Sequence, residues 1–437
     1  MFPKVALLSL ALAFVASASP VANDNLNGLR IPIHKRSSVT KADGSFDREA
    51  ALKEKVKVQN KHRQNLITIN NKVGLQSFNK GAYIPELAAL PASLRKRQSE
   101  SLDDQSSNTE WTGTVSIGTP AQTFTIDFDT GSADLWVPAS NCSGCKAQHS
   151  YDSSSSSTSQ EQSGTFQIQY GDGSTASGPI YSDTVSVAGV SVTGQYLSAV
   201  TSESGDLVGG PNDGLMGMAF PAISQLNSVG LDCQVPYPML IDMDRTPTSG
   251  PLSTRRLSPR ECSITFKLSS SGSELYIGGT DDSLYSGDIE YHDLSSSNQG
   301  YWQISGASAV VGGNTTVSNL DTIIDTGTTI MYGPPDSVKQ FYAAIDGASE
   351  YDSENGYYSI PCDSIPTIAF SWGGSNWDIS SDTFNLGTTS DGNCQGALAA
   401  QDLGLGDNVW LLGDTLLMNV YSAFDVDNNA IGFASLS

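Results

Sequence analysis

After residue 110 the chain runs in short apolar stretches broken by turn residues, which is a strand rhythm rather than a helical one. Trp111–Ile117 and Thr123–Phe128 are β-type runs around the Gly118-Thr119-Pro120 turn, and Leu135-Trp136-Val137-Pro138 continues as strand. Thr165–Tyr170 alternates apolar and polar residues and then meets Gly171-Asp172-Gly173-Ser174. An Asp-Gly pair closing an alternating run predicts a hairpin. More strands are expected at Phe266–Leu268, Glu274–Gly279, Tyr301–Ile304 and Thr322–Ile324, and in a closing system from Leu411 to Ala434 that turns at Asn428-Asn429. Two stretches read as helical: Val338–Ile345 by its apolar spacing, and Arg48–Lys61 by helix-favouring residues in a polar, basic leader. The expected fold class is therefore mainly β.

Within this pattern one motif is written twice. Phe128-Asp129-Thr130-Gly131-Ser132 is matched by Ile324-Asp325-Thr326-Gly327-Thr328. Each aspartate is followed nine residues later by a proline, Pro138 or Pro334. An apolar-apolar-Gly triplet comes later in each copy, and 86 residues separate Gly131 from Gly217 just as they separate Gly327 from Gly413. A lone Asp-Thr-Gly marks no more than a turn. Two copies with matched partners mark an internal structural repeat, and a repeat that duplicates a carboxylate suggests that Asp129 and Asp325 meet on an approximate two-fold axis. Two carboxyls about 3 Å apart cannot both ionise, so such a pair shares one proton. One member can then take a proton from a water while the other donates to a carbonyl oxygen, which hydrolyses an amide without a nucleophilic side chain or a metal. The hydroxyls of Thr130, Ser132, Thr326 and Thr328 and the N–H groups of Gly131 and Gly327 suit the work of holding both carboxylates coplanar.

These residues resemble the pepsin-like aspartic protease family, over most of the chain after residue 110 and through five separate motifs. The resemblance implies a two-lobed β fold with pseudo-two-fold symmetry, the lobes spanning 98–285 and 286–437, and an extended cleft that takes a protein or peptide as a strand. Tyr170-Gly171-Asp172-Gly173 is similar to the family's flap, the mobile hairpin that closes over substrate and excludes water. Trp136 matches the tryptophan that partners the flap tyrosine. Asp172 is similar to the secreted fungal branch, in which some members use this carboxylate to accept a basic residue beside the cut bond. Cys362 and Cys394 match a second-lobe disulfide. Zymogens of the family place a lysine over the dyad, and Lys80 is the residue assigned here to that role.

Charge changes the picture before residue 98. The net charge is −23, yet residues 1–97 carry 16 Lys and Arg against 6 Asp and Glu. A basic leader on an acidic body argues against nucleic acid as a partner and suits a removable prosegment lying over an acidic cleft as an intramolecular inhibitor. Lys4, an apolar run from Val5 to Val15 and Ala16-Ser17-Ala18 read as a secretory signal peptide over 1–18. The run is too short to span a bilayer, so a secreted (extracellular or vacuolar), soluble monomer is expected, without metal or cofactor. The prosegment, 19–97, ends in Arg95-Lys96-Arg97, where cleavage at Lys96 and Arg97 is expected; Lys35-Arg36 is a second dibasic pair. In an exported protein the C-x-x-C pair Cys142 and Cys145 reads as a small disulfide loop. Asn314-Thr315-Thr316 is a glycan acceptor on a turn.

One segment breaks the pattern. Between Ser228 and Ser263 the composition shifts: Arg245, Arg255, Arg256 and Arg260 fall here, with Cys233 and Cys262. It reads either as an unspliced intron or local frame error, or as an insertion whose cysteines bridge.

Rival chemistries lack their residues. A Ser-His-Asp hydrolase needs a histidine beside a nucleophile elbow, and His149 and His292 fall in polar surroundings without one. His-Glu-x-x-His is missing from the sequence. A glycosidase wants its carboxylates at least about 5 Å apart and has no use for paired Asp-Thr-Gly loops. A catalytically silent peptide-binding protein on the same fold would be expected to have lost part of a motif, and both are intact.

Overall fold

The computed structural model describes residues 29–35, 39–91, 111–145, 147–169, 175–188, 190–203, 212–226, 263–269, 271–295 and 300–437. The signal peptide, Lys96 and Arg97, the hairpin tip Tyr170–Gly173 and the segment holding Cys233 and Cys262 lie outside these residues. Among the described residues the strands form one 13-stranded sheet, one of seven strands and one of four. The mainly β expectation is met.

The two halves repeat one local arrangement. In the first, the strand Gln122–Asp129 runs parallel to Gly214–Gly217, with Asp129 opposite Gly217, and Leu135–Ser143 crosses antiparallel through Leu135 and Met216. In the second, Asn314–Ile324 runs parallel to Val409–Leu412, with Ile324 opposite Leu412, and Met331–Gly333 crosses antiparallel through Tyr332 and Leu411. The glycines that end the two triplets are required by close approach. A Cβ on Gly217 would enter the backbone of Ala133 and Asp134, and one on Gly413 would meet the Thr328 carbonyl. Apolar residues of the triplets are buried on both faces, as threaded central strands require.

The expected helix in the second half is Pro335–Tyr342, entered by a proline at its first position, where no intrahelical N–H is lost. The hairpin arms flanking the undescribed tip are Gln160–Gln169 and Thr175–Val187, paired antiparallel up to Gln169 opposite Thr175. Cys142–Cys145 and Cys362–Cys394 are both disulfides. His292, expected in polar surroundings, lies instead in the strand Tyr285–Asp293, its ring 5.7 Å from that of Trp372.

The leader is folded into the body. Leu29–Lys35 pairs antiparallel with Ser273–Ile277 and, at its end, with Trp111–Ile117. The helix expected at Arg48–Lys61 extends to Lys72; call it α1. Asp47 caps it by accepting the Ala50 N–H at 3.1 Å, and Gly74, with φ at 83°, turns the chain after its end. Polar and charged side chains are buried around α1, among them Glu54, Lys55, Asn60, Lys61, His62 and Asn65. A helix this polar would ordinarily be solvated. It is buried because the body lies on one side and the returning segment 75–91 on another. Asn60 bonds both backbone groups of Ala88, and Arg63 donates to the Pro85 carbonyl.

Candidate active site

The two Asp-Thr-Gly loops meet tip to tip. The Thr130 N–H donates to Thr326 Oγ1 at 3.0 Å, and the Thr326 N–H returns to Thr130 Oγ1 at 2.9 Å. Each hydroxyl then crosses to the strand behind the other loop: Thr130 Oγ1 to the Ile324 carbonyl at 3.0 Å, and Thr326 Oγ1 to the Phe128 carbonyl at 2.8 Å. The chain repeat thus becomes a two-fold lattice of four buried hydrogen bonds, a satisfied network that specifies one geometry. Gly131 N–H donates to Asp129 Oδ1 at 2.8 Å and Gly327 N–H to Asp325 Oδ1 at 2.9 Å. Thr328 Oγ1 adds a 2.8 Å bond to Asp325 Oδ2, while Ser132 is buried beside Asp129 and donates its N–H to the Asp129 carbonyl at 3.5 Å. A Cβ on Gly131 would collide with the Asp325 carboxylate, and one on Gly327 with that of Asp129. The carboxylates therefore converge, each against the other loop's glycine.

Between them stands the ammonium of Lys61. Its Nζ lies 3.1 and 3.4 Å from the Asp129 carboxylate oxygens, 3.1 and 2.9 Å from those of Asp325, and 3.3 Å from the Gly327 carbonyl. Burial opposes the lysine's charge, but two carboxylates more than compensate and raise its pKa above the ordinary lysine value. Burial would also raise Asp325, yet Lys61, joined by His62, holds this carboxyl well below the usual carboxylate range. For Asp129 burial, with Asp325 close by, outweighs Lys61 and the pKa rises. The pKa values of the two carboxyls are thus pushed apart, Asp325 lowered and Asp129 raised, although their loops are built alike.

His62 and Asn65 complete the contact. His62 Nε2 is 3.3 Å from Asp325 Oδ2 and its Nδ1 is 3.2 Å from the Tyr301 hydroxyl, while Asn65 Nδ2 donates to the Gly131 carbonyl at 2.9 Å. Burial, abetted by Lys61, pushes the His62 pKa down. Lys80, by contrast, is 95% exposed and pairs only loosely, at 3.7 Å, with Asp407. The assignment of Lys80 to the dyad is corrected to Lys61. The return segment carries Lys80 past the cleft, onto an outer turn, while the helix before it supplies the buried cation. In the sequence, the signal for Lys61 is the row Lys57, Lys61, Asn65, spaced by four and so on one helical face.

That face looks into a recess lined by Trp136, Phe166, Ile168 and Leu215 as well as by Asp129 and Ser132. Trp136 is buried there, beside the arm that leads to Tyr170, Gly171 and Asp172, the tip outside the described residues. Asp134 anchors the floor: Ser224 Oγ and the N–H groups of Gln225 and Leu226 converge on its Oδ1 at 2.6, 2.9 and 3.1 Å. Asn314 is exposed at the start of the strand Asn314–Ile324, just after the Gly312-Gly313 turn, where an acceptor asparagine is accessible.

Comparison with known proteins agrees with this geometry. A family model for eukaryotic aspartyl protease matches residues 110–436. The chain is 38% identical to an aspartic protease of Phaffia rhodozyma, over 99% of both chains. It is 34% identical to major aspartyl peptidase 1 of Cryptococcus neoformans, over 77% of this chain and 70% of the relative. With pepsin A of Sus scrofa it shares 32% identity over 81% and 87% of the two chains.

Proposed function

The chain belongs to the eukaryotic aspartyl proteases and is an aspartic-type endopeptidase; from that premise we propose that it is made as a secreted zymogen, with Asp129 and Asp325 as the catalytic pair and Lys61 as the plug. The supporting observation is the site of the Lys61 ammonium, within 3.4 Å of all four carboxylate oxygens. With α1 withdrawn, the same position suits a water. The ionised carboxylate takes a proton from that water as its oxygen attacks the peptide carbonyl carbon. The protonated partner gives its proton to the carbonyl oxygen, and a tetrahedral diol forms. Collapse breaks the C–N bond: the leaving nitrogen takes the proton that came from the water, and a diol hydroxyl returns its proton to the other carboxylate, leaving an acid and an amine. The threonine lattice keeps both carboxylates coplanar through these transfers, so little reorganisation is needed.

The zymogen reading draws support from the contacts of the basic leader with the acidic body. Arg30 pairs with Asp281, Arg48 with Asp352, Lys61 with the dyad, and Lys72 donates to the Pro221 and Ser224 carbonyls. Acid acts on this arrangement with a definite sign. Asp325, held below its ordinary 3.8, supports the leader above that pH and loses its support as pH falls through the lowered value. His62, held below 6.5, weakens binding as pH falls from 6.5 toward its own lowered value, because the released histidine takes up the proton first. Asp325 and His62 both favour release of the leader in acid, while Asp129, raised in the bound state, acts with the opposite sign. The signal peptide at 1–18, the cut at Lys96-Arg97, the lobe division at 285/286, the flap role of Tyr170–Gly173 and the glycan on Asn314 belong to the same reading. No helix among the described residues is long and apolar enough to cross a membrane. The aromatic and aliphatic lining of the recess favours apolar residues next to the cut bond.

The experiment is an acid proteolysis assay on casein or haemoglobin with and without a statine-type transition-state mimic. Cleavage abolished by the mimic is expected; cleavage indifferent to it contradicts the dyad.

A further inference from the structure

The leader fills a second polar site, one the dyad chemistry does not use. Asn79, in the return segment, is buried against Gln303 at the start of the strand Gln303–Val311. The two carboxamides pair reciprocally: Asn79 Nδ2 donates to Gln303 Oε1 at 2.8 Å, and Gln303 Nε2 donates to Asn79 Oδ1 at 2.9 Å. Asn79 Nδ2 also donates to the Leu405 carbonyl at 2.9 Å. On the body's side this gives one donor and two acceptors, fully buried and arranged around a guest carboxamide. The site adjoins the catalytic centre. Phe78, the residue before Asn79, sets its ring 5.7 Å from that of Tyr301, whose hydroxyl is 3.2 Å from His62. The return segment meets α1 at Asn60 and Arg63, away from the Lys57-Lys61-Asn65 row that faces the Trp136–Phe166 recess.

We propose that Gln303, with the Leu405 carbonyl, is a specificity determinant that selects an asparagine or glutamine side chain in the substrate, across the dyad from the apolar recess. The proposal rests on the peptidase reading. When the leader departs, the Gln303 amide loses the partner that satisfies it, and a substrate carboxamide restores every bond. A carboxylate guest would set its oxygens against the oxygens of Gln303 and Leu405. A leucine would leave three polar groups unmet. A site built to hydrogen-bond rejects the analogue that cannot, because its own groups stay desolvated and unpaired.

The test uses mature enzyme obtained from the full chain and internally quenched peptides that differ in one residue. Asn, Asp or Leu is placed in turn at each position flanking the cut bond. At one position kcat/KM for Asn is expected to exceed that for Leu by about tenfold. Gln303→Leu brings that ratio to near one. A group that only helped to hold the leader would not move selectivity in the mature enzyme. Should Gln303→Leu alone fail to fold around Asn79, the pair Asn79→Leu with Gln303→Leu removes both polar partners together and carries the same measurement. A flat ratio at every position in the wild type, or an Asn preference that survives Gln303→Leu, overturns the proposal while leaving the peptidase intact. No cleavage of any peptide overturns both.

Discussion

The two aspartate loops have one scaffold and two environments. Thr130 and Thr326 exchange bonds so symmetrically that either loop could be described by renaming the residues of the other. The electrostatics are not symmetric. Lys61 leans toward Asp325 and the Gly327 carbonyl, and His62 touches Asp325 alone. Asp325 is accordingly held low while Asp129 is raised. A duplicated sequence builds equal geometry, and a single unduplicated helix, α1, makes it unequal.

The unequal environments are probed most strongly by replacing Lys61. Removing one partner of a buried ion cluster leaves the rest uncompensated, at a cost of roughly 3–5 kcal/mol. Lys61→Met is therefore expected to weaken the leader's hold by on the order of a hundredfold or more, read as proteolysis appearing near neutral pH. Lys80→Ala should change the same readout by less than about twofold, as an exposed pair contributes little. Equal effects of the two substitutions would restore Lys80 to the dyad.

Next in size are the threonines. Thr130→Val and Thr326→Val each strip two buried hydrogen bonds, and each should cost about 1–3 kcal/mol in a denaturant melt. Near-equal losses support the symmetric scaffold, and the cost of the double variant should depart from their sum because the two hydroxyls belong to one network. The smallest effect tests the asymmetry. His62→Gln removes the leader's own group whose protonation favours the released state, so release should need stronger acid. An unchanged release profile would remove His62 from the switch. Apart from the comparison, replacing both Lys96 and Arg97 with alanine should block maturation, seen as a chain that keeps its leader.

Much of this was legible beforehand because it was written twice. Asp129 and Asp325 stand out only as a pair, and the matched Gly217 and Gly413 fix the threaded strand beside each. Lys61 had no such twin. It sits in a leader crowded with lysines, on a helix whose polar residues are buried from two sides, so no amphipathic stripe points to its buried face. The expected helix stopped at Lys61 for the same reason: the pattern fades where the body, not the sequence period, provides the cover. Gln303 was invisible for a different reason. A single amide in an apolar strand reads as incidental until its partner, 224 positions away in the chain, comes to face it. Sequencing the transcript tests the break at Ser228–Ser263: an mRNA that encodes the segment as written removes the reading error.

Catalysis here requires one carboxyl from each half to act on a common water. That requirement is tested most directly by kcat for Asp129→Asn and Asp325→Asn, each measured on one peptide with the leader removed. A loss of about a thousandfold or more is expected in both, the scale on which removing one acid–base group acts. Wild-type kcat in either variant would contradict it.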